Sequence, residues 1–151
     1  MVVNLPGEGR TIDMGVFTMT VKADGTDTGG SFTLLEAAEP AGFGPPMHTH
    51  QDAGESFYVL EGEYLIFVEE WEFACPAGSF VYIPAGLPHG FRVGDAQSRK
   101  LNFYTPGAMA GYFDELAGSA ATGLTLAEQA LIEMAARHSM RVLGPVPEGY
   151  S

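Results

Sequence analysis

The sequence predicts an all-β domain, an antiparallel sandwich or barrel, followed by two short helices. From about Thr11 to Thr105, short runs rich in β-branched and aromatic residues alternate with glycine and proline, which is typical of such folds. Glu61-Gly62-Glu63 joins two of these runs, and glycine supplies the positive φ of a tight hairpin at low cost. After Pro106 the apolar residues recur with the period of a helix.

The predicted strands come directly from these runs, because each run is bounded by glycine, proline or polar turn residues. In chain order they are Val16–Val21, Ser31–Leu35, Met47–His50, Glu55–Leu60, Tyr64–Val68, Glu72–Cys75, Ser79–Ile83, His89–Val93 and Lys100–Tyr104.

Two helices are predicted after the strands. Met109, Tyr112, Phe113 and Leu116 are spaced as one face of a short helix. Thr125-Leu126-Ala127-Glu128 has the spacing of a capping box and predicts the start of the second helix, which we expect to end before Gly144-Pro145. We expect both helices to pack on the outside of the β-domain and the residues from Gly144 to the end to form a tail.

Length and composition favour a single domain and argue against nucleic acid and membranes as partners. The 151 residues fit a single domain over 1–151, with a β part at about 11–105 and a helical segment at about 106–144. The net charge of −12 repels nucleic acid and anionic lipid, so neither is an expected partner. A single cysteine, Cys75, excludes an intrachain disulfide.

The start of the chain does not resemble a secretory signal, and the longest apolar run, Tyr64–Val68, is too short to span a bilayer. We expect a cytoplasmic protein.

Three of the four histidines lie in two short segments that predict a metal site. His48 and His50 are two residues apart on a predicted strand, so their imidazoles point to the same side. Glu55 and His89 can complete the set. Imidazole and carboxylate ligands suit one divalent transition metal ion, Fe(II), Mn(II), Ni(II), Cu(II) or Zn(II), and the sequence does not choose among them.

The spacing around these residues resembles the two sequence motifs of the cupin superfamily. The first is Gly42-x5-His48-x-His50-x4-Glu55-x6-Gly62 and the second is Gly78-x5-Pro84-x-Gly86-x2-His89. One position departs from the pattern, because Val93 stands where the family usually has asparagine. The segment Tyr104-Thr105-Pro106-Gly107, followed by an aromatic helix, is similar to the small single-domain cupins related to quercetin dioxygenase.

The resemblance implies a jelly-roll-like β-barrel that holds a divalent metal through His48, His50, Glu55 and His89. Four protein ligands would leave one or two coordination positions for a small-molecule substrate, dioxygen or water. Many cupins are homodimers, so a homodimer is expected, and the segment Thr11–Val21 could pair with the sheet edge of a partner.

Three functions remain open at this stage. The resemblance favours a dioxygenase that acts on a small aromatic or enolisable organic substrate, with Glu55 both as metal ligand and as the catalytic base that accepts the substrate's proton. An isomerase, lyase or cyclase would use the metal only as a Lewis acid, with Glu55 as base. A non-catalytic cupin would bind a small molecule without changing it.

Several other residues are given a structural role. We expect His138 to be a solvated helix residue without a function. A group of large apolar residues could line a pocket around the metal, but core packing is the expected role for most of them. These are Phe57, Tyr64, Ile66, Phe80, Tyr82, Phe91 and Phe103.

Overall fold

The computed structural model describes residues 1–121 and 127–148, which form two antiparallel sheets and two short helices. The first five strands are β1 (Arg10–Asp13), β2 (Thr18–Ala23), β3 (Thr33–Glu39), β4 (Met47–His50) and β5 (Gly54–Glu61). The next five are β6 (Glu63–Val68), β7 (Trp71–Pro76), β8 (Phe80–Ile83), β9 (His89–Val93) and β10 (Ser98–Thr105). They are followed by α1 (Ala110–Ala121), α2 (Glu128–Arg137) and β11 (Met140–Gly144).

The strands form two facing sheets rather than one closed ring. A six-stranded sheet has the order β1-β2-β3-β10-β5-β8, and a five-stranded sheet has the order β11-β4-β9-β6-β7. Neighbouring strands are antiparallel throughout, and consecutive strands often lie in different sheets. This is a jelly-roll sandwich, so the predicted all-β, jelly-roll-like class is confirmed.

The predicted strands agree with the observed ones in their central residues. The described residues form more strands than were predicted. The turn at Gly62 has the expected positive φ, 74°, and joins β5 to β6. The first predicted strand is displaced, because the observed strand is Thr18–Ala23. A further short strand, β1, lies before it and pairs with it from Arg10 to Asp13.

The C-terminal part differs most from the prediction. The second helix ends at Arg137, well before Gly144, and the chain then returns as β11 to pair with β4. The predicted capping box includes Thr125, which lies outside the described residues. The described helix begins at Glu128, with Ala127 at its N-cap. The local sequence predicted that the helix continues through these residues. They form β11 instead, because pairing with the edge of β4 gives them main-chain hydrogen bonds. This tertiary contact cannot be read from the periodicity of the sequence.

Two clusters of buried side chains fill the space between and beside the sheets. One lies under the N-terminal strands and the helices and includes Leu35, Tyr104 and Met140. The other is largely aromatic and includes Phe57, Tyr64 and Phe91. The expectation of core packing is therefore correct for Phe57, Tyr64, Ile66 and Phe91. It is wrong for Phe80 and Tyr82, whose side chains are on the outer, solvent-exposed face of the six-stranded sheet.

Candidate metal centre

The structure brings the four predicted ligands together from both sheets. His48 and His50 lie on β4 and His89 on β9, all in the five-stranded sheet, and His48 pairs directly with His89 across the two strands. Glu55 comes from β5 of the six-stranded sheet. All four side chains are buried, none more than 9% exposed. The cluster therefore lies between the two sheets.

A hydrogen bond between the two motifs helps to place the second one. The loop that precedes β9 turns at Gly86, where φ is 86°. The Gly86 N–H donates to the carbonyl of His50 at 2.7 Å, and the Pro88 carbonyl accepts from the Glu69 N–H at 2.8 Å. Glycine takes this positive φ without steric cost. The loop is thus fixed to β4 on one side and to the β6–β7 turn on the other, and His89 enters the site between them.

The four side chains converge on one carboxylate oxygen. Oε2 of Glu55 lies 2.7 Å from Nε2 of His89, 3.0 Å from Nε2 of His50 and 3.8 Å from Nε2 of His48. One ligand atom from each residue lies within 4.8 Å of the others. Opposite ligands of an ion with bonds of about 2.1 Å are about 4.2 Å apart, so small side-chain movements would bring all four into bonding distance.

Main-chain carbonyls fix the orientation of two of the imidazoles. Nδ1 of His48 lies 2.8 Å from the Pro46 carbonyl, and Nδ1 of His89 lies 2.8 Å from the Leu87 carbonyl, so each Nδ1–H donates. The neutral form of each ring then carries a lone pair on Nε2, facing the Glu55 carboxylate. Nδ1 of His50 is buried and has no hydrogen-bond partner among the described residues.

This arrangement requires positive charge between the donors. A lone pair of His89 would be repelled by a carboxylate oxygen at 2.7 Å, so in the metal-free protein this contact needs a second proton on the ring. In the metal-free protein, burial acts to lower the pKa of His89, but the hydrogen bond to Glu55, the charge of Glu55 and the hydrogen bond to the Leu87 carbonyl together raise it. A divalent ion would satisfy the same atoms without the extra proton. The residues present fit a transition metal ion.

Glu55 stays ionised in spite of its burial. Burial alone would raise the pKa of its carboxyl group, but hydrogen bonds from His48, His50 and His89 hold the pKa well below its usual range. Behind the carboxylate, the side-chain amide of Asn102 donates from Nδ2 to Oε1 of Glu55 at 3.1 Å. Burial and the charge of Glu55 raise the pKa of the neighbouring Tyr104 phenol well above its usual value, so this group stays protonated.

Comparison with known proteins identifies the family. The model of the family described as "Cupin domain" matches residues 34–101, which include all four candidate ligands. This chain contains a cupin domain. It is 30% identical over 104 residues to quercetin 2,3-dioxygenase from Bacillus subtilis (strain 168), a match that covers 69% of the chain. The match covers 31% of that longer relative.

Solved structures agree on the fold of this cupin. KdgF from Halomonas sp. superposes with a TM-score of 0.65 at 14% identity, covering 74% of this chain and 98% of that one. The polyketide cyclase RemF from Streptomyces resistomycificus gives a TM-score of 0.60 at 24% identity, covering 70% and 79% of the two chains. No helix in the described part of the chain is long and apolar enough to cross a membrane.

Three of the four candidate ligands of this cupin, His48, His50 and Glu55, line a cavity of about 380 Å³. That volume lies within the usual range for small-molecule sites. Its walls are mainly apolar and include Phe17, Phe43 and Phe91 from the β-domain. Helix α1 contributes Tyr112, Phe113 and Leu116, and Met109 lies directly before it; these are the residues whose spacing predicted its apolar face. The helix was expected to pack on the outside, and its apolar face in fact forms one wall of the cavity.

Four polar residues around the cavity escaped sequence reasoning. Asn102 and Tyr104 contact Glu55, and Lys100 forms an ion pair with Glu39. Lys100, Asn102 and Tyr104 alternate along β10, so all three point inward. A signal did exist, since one face of this strand is entirely polar. Val93, the position that departs from the family pattern, is buried in the aromatic cluster, and the amide beside the candidate ligands comes from β10 instead.

Proposed function

We propose that this cupin is a metal-dependent dioxygenase that acts on a small aromatic or enolisable substrate. The observation that carries the proposal is an ionised, buried carboxylate grouped with three imidazoles at an apolar cavity of small-molecule size. Its similarity to quercetin 2,3-dioxygenase supports the choice of reaction. Because one fold serves many reactions, the site and not the fold must carry the assignment.

The residues of the chain provide binding and proton transfer. When bound, a redox-active ion such as Fe(II), Cu(II) or Mn(II) supplies Lewis acidity and a route for reaction with dioxygen. The aromatic walls and α1 would hold an apolar ring and exclude water. Glu55, ionised at neutral pH, would accept the proton of a substrate hydroxyl or enol that enters hydrogen-bond distance.

A second candidate uses the same carboxylate without an oxidant. A buried base beside a Lewis acid can remove a proton from carbon and return it elsewhere, which is the chemistry of an isomerase, lyase or cyclase. The position of Glu55 at the cavity suits this reaction as well as it suits the dioxygenase. Dependence on oxygen separates the two.

Oxygen consumption by protein of known metal content tests the proposal. Elemental analysis of the purified chain is followed by a screen of hydroxylated aromatic compounds and enolisable diketones with an oxygen electrode. We expect uptake of one dioxygen per substrate consumed and no turnover under anaerobic conditions. Anaerobic turnover would support the isomerase, lyase or cyclase instead. Tight binding of a screened compound with no turnover by the metal-loaded protein would support a binding cupin.

Two variants separate metal binding from proton transfer. His50→Ala removes one ligand, so we expect loss of both metal and activity. Glu55→Gln keeps the size of the side chain but carries no charge to accept a proton. If this variant retains metal and loses activity, Glu55 acts chiefly as the base. If it loses metal as well, Glu55 is chiefly a ligand.

A further inference from the structure

The two carboxylate oxygens of Glu55 have different surroundings. Oε2 faces the imidazoles of all three histidines, at 2.7 to 3.8 Å. Oε1 points the other way and accepts the hydrogen bond from Nδ2 of Asn102 at 3.1 Å. One oxygen is therefore directed toward the candidate metal position, and the other is held by the protein.

The amide of Asn102 can adopt only one orientation in this environment. Its Nδ2 lies 3.2 Å from the hydroxyl oxygen of Tyr104 as well as 3.1 Å from Oε1 of Glu55, so both amide hydrogens have acceptors. Rotating the amide by half a turn would place its oxygen against the carboxylate, with two acceptors facing each other. Oδ1 is buried without a hydrogen-bond partner among the described residues. The site thus leaves the acceptor of this amide unpaired in order to give both donors to Tyr104 and Glu55.

The position of Asn102 on β10 makes the contact rigid. Tyr104 lies directly opposite Glu55 in the β10–β5 register, and Asn102 lies opposite Phe57. β10 is paired on both sides, with β3 and β5, so its inward side chains move little relative to the carboxylate. A group held this way can fix the orientation of a metal ligand.

We propose that Asn102 is a positioning residue that restricts Glu55 to ligation through Oε2 alone. With Oε1 held by the amide, the carboxylate cannot turn to offer both oxygens to one ion. A coordination position that the second oxygen would take is then left for substrate. This inference rests on the metal site of the proposed function, but it does not depend on which reaction the cupin catalyses.

Cobalt substitution tests the proposal without any substrate. Co(II) alone is titrated into the full-length wild-type chain, into Asn102→Leu and into Ser98→Ala, and visible absorption reports the coordination number. We expect Asn102→Leu to bind one Co(II) about 10–100-fold more weakly than the wild type. We also expect its absorption bands to weaken, as they do when a carboxylate becomes bidentate and coordination number rises.

Ser98→Ala is the matched control. Ser98 is buried on the same face of β10, but its hydroxyl bonds to the main chain of Glu63 and does not touch the candidate ligands. We expect this variant to be less stable yet to keep the wild-type Co(II) spectrum. A spectral change of equal size in Ser98→Ala would overturn the proposal, because any disturbance of β10 would then be sufficient.

The spectrum of the Asn102 variant is decisive. A wild-type spectrum in folded Asn102→Leu would overturn the inference and leave the metal site intact. If this variant does not fold, Asn102→Asp replaces it, because it keeps the side-chain size, loses the donor to Oε1 and is expected to change the spectrum. If the wild type binds no Co(II), the inference and the proposed metal-dependent function both fail.

Discussion

Lys100 and Glu39 form a fully buried ion pair at the cavity, with Nζ of the lysine 2.7 Å from Oε2 and 3.0 Å from Oε1 of the glutamate. The Tyr64 hydroxyl donates to the same Oε2 at 2.8 Å. The ammonium group also lies 4.1 Å from the ring centroid of Phe91. Its hydrogens therefore face a carboxylate and an aromatic ring, which offsets part of the cost of burying the charge.

Breaking this pair should destabilise the chain strongly. We expect Lys100→Met to lower the free energy of unfolding by about 3–5 kcal/mol, because it leaves the Glu39 carboxylate buried without its cation. Urea denaturation followed by circular dichroism measures the change. The double variant Lys100→Met with Glu39→Gln removes both charges and keeps an acceptor for Tyr64, so it should be more stable than Lys100→Met alone. A double variant that is no more stable than the single one would contradict this account.

The sequence predicted the candidate ligands because the information is local. His48 and His50 are close in the chain, strand alternation alone places them on one face, and glycine and proline mark the turns that bring in Glu55 and His89. The polar residues of β10 that surround the candidate ligands could not be identified from local spacing. On β10 the inward positions are Ser98, Lys100, Asn102 and Tyr104. A hydrophobic pattern would instead assign Leu101 and Phe103 to the core.

The missed strand β11 has a different cause. Met140–Gly144 directly follows a helix, and nothing in five residues distinguishes a last helical turn from a strand. Its conformation depends on the free edge of β4, where Met140 pairs with His50 and Val142 with His48. The stability of this strand comes from a contact between residues far apart in the sequence. The C-terminal strand therefore supports the strand that carries two candidate ligands.

Metal binding should raise the thermal stability of the chain. An ion that binds only the folded state at a concentration 100-fold above its dissociation constant adds about 2.7 kcal/mol, or about 5–10 °C in Tm for a chain of this size. Differential scanning fluorimetry before and after chelation, and after metal is restored, measures the shift. His50→Ala should show none of it. An equal shift in that variant would place the bound metal elsewhere.

The contact between the two helices should make stability depend on pH. Hydrogen bonds from Arg137 and His138 at the end of α2 to Glu115 on α1 lower the pKa of that carboxyl group below its usual value. A lowered carboxyl pKa stabilises the fold above the unfolded-state pKa, and this stabilisation is lost as the pH falls through the folded-state value.

His138, predicted to be a solvated helix residue, instead follows the last helical residue and bonds to Glu115.

Replacing Glu115 tests this linkage. We expect Glu115→Gln to lower the free energy of unfolding at pH 7, with a difference from wild type that shrinks below about pH 4. Urea denaturation at pH 7 and at about pH 3.5 measures it. Glu133→Gln on α2 is the control, since its carboxylate contacts the amide of Gln129 rather than a cation. A difference for Glu115→Gln that is the same at both pH values would rule out the linkage.

The outer face of the six-stranded sheet is where we expect a second copy of the chain to bind. Tyr58, Phe80 and Tyr82 are 45% to 65% exposed there, and Tyr58 pairs directly with Phe80. Exposed apolar patches of this kind are typical of protein interfaces. The homodimer expected from the sequence stays a prediction, and the segment proposed to reach a partner, Thr11–Val21, includes part of β1, which pairs with β2 of its own chain.

Size-exclusion chromatography with light scattering checks the dimer. We expect the wild type to have twice the mass of one chain, and the double variant Phe80→Ser with Tyr82→Ser to have the mass of one. Trp71→Ser is the matched control, because Trp71 is a similarly exposed aromatic residue, 63% accessible, on β7 of the other sheet. We expect Trp71→Ser to leave the dimer intact, because this side chain lies outside the proposed interface. A wild type that stays monomeric at high concentration would refute the dimer, and dissociation by Trp71→Ser would place the interface on the other sheet.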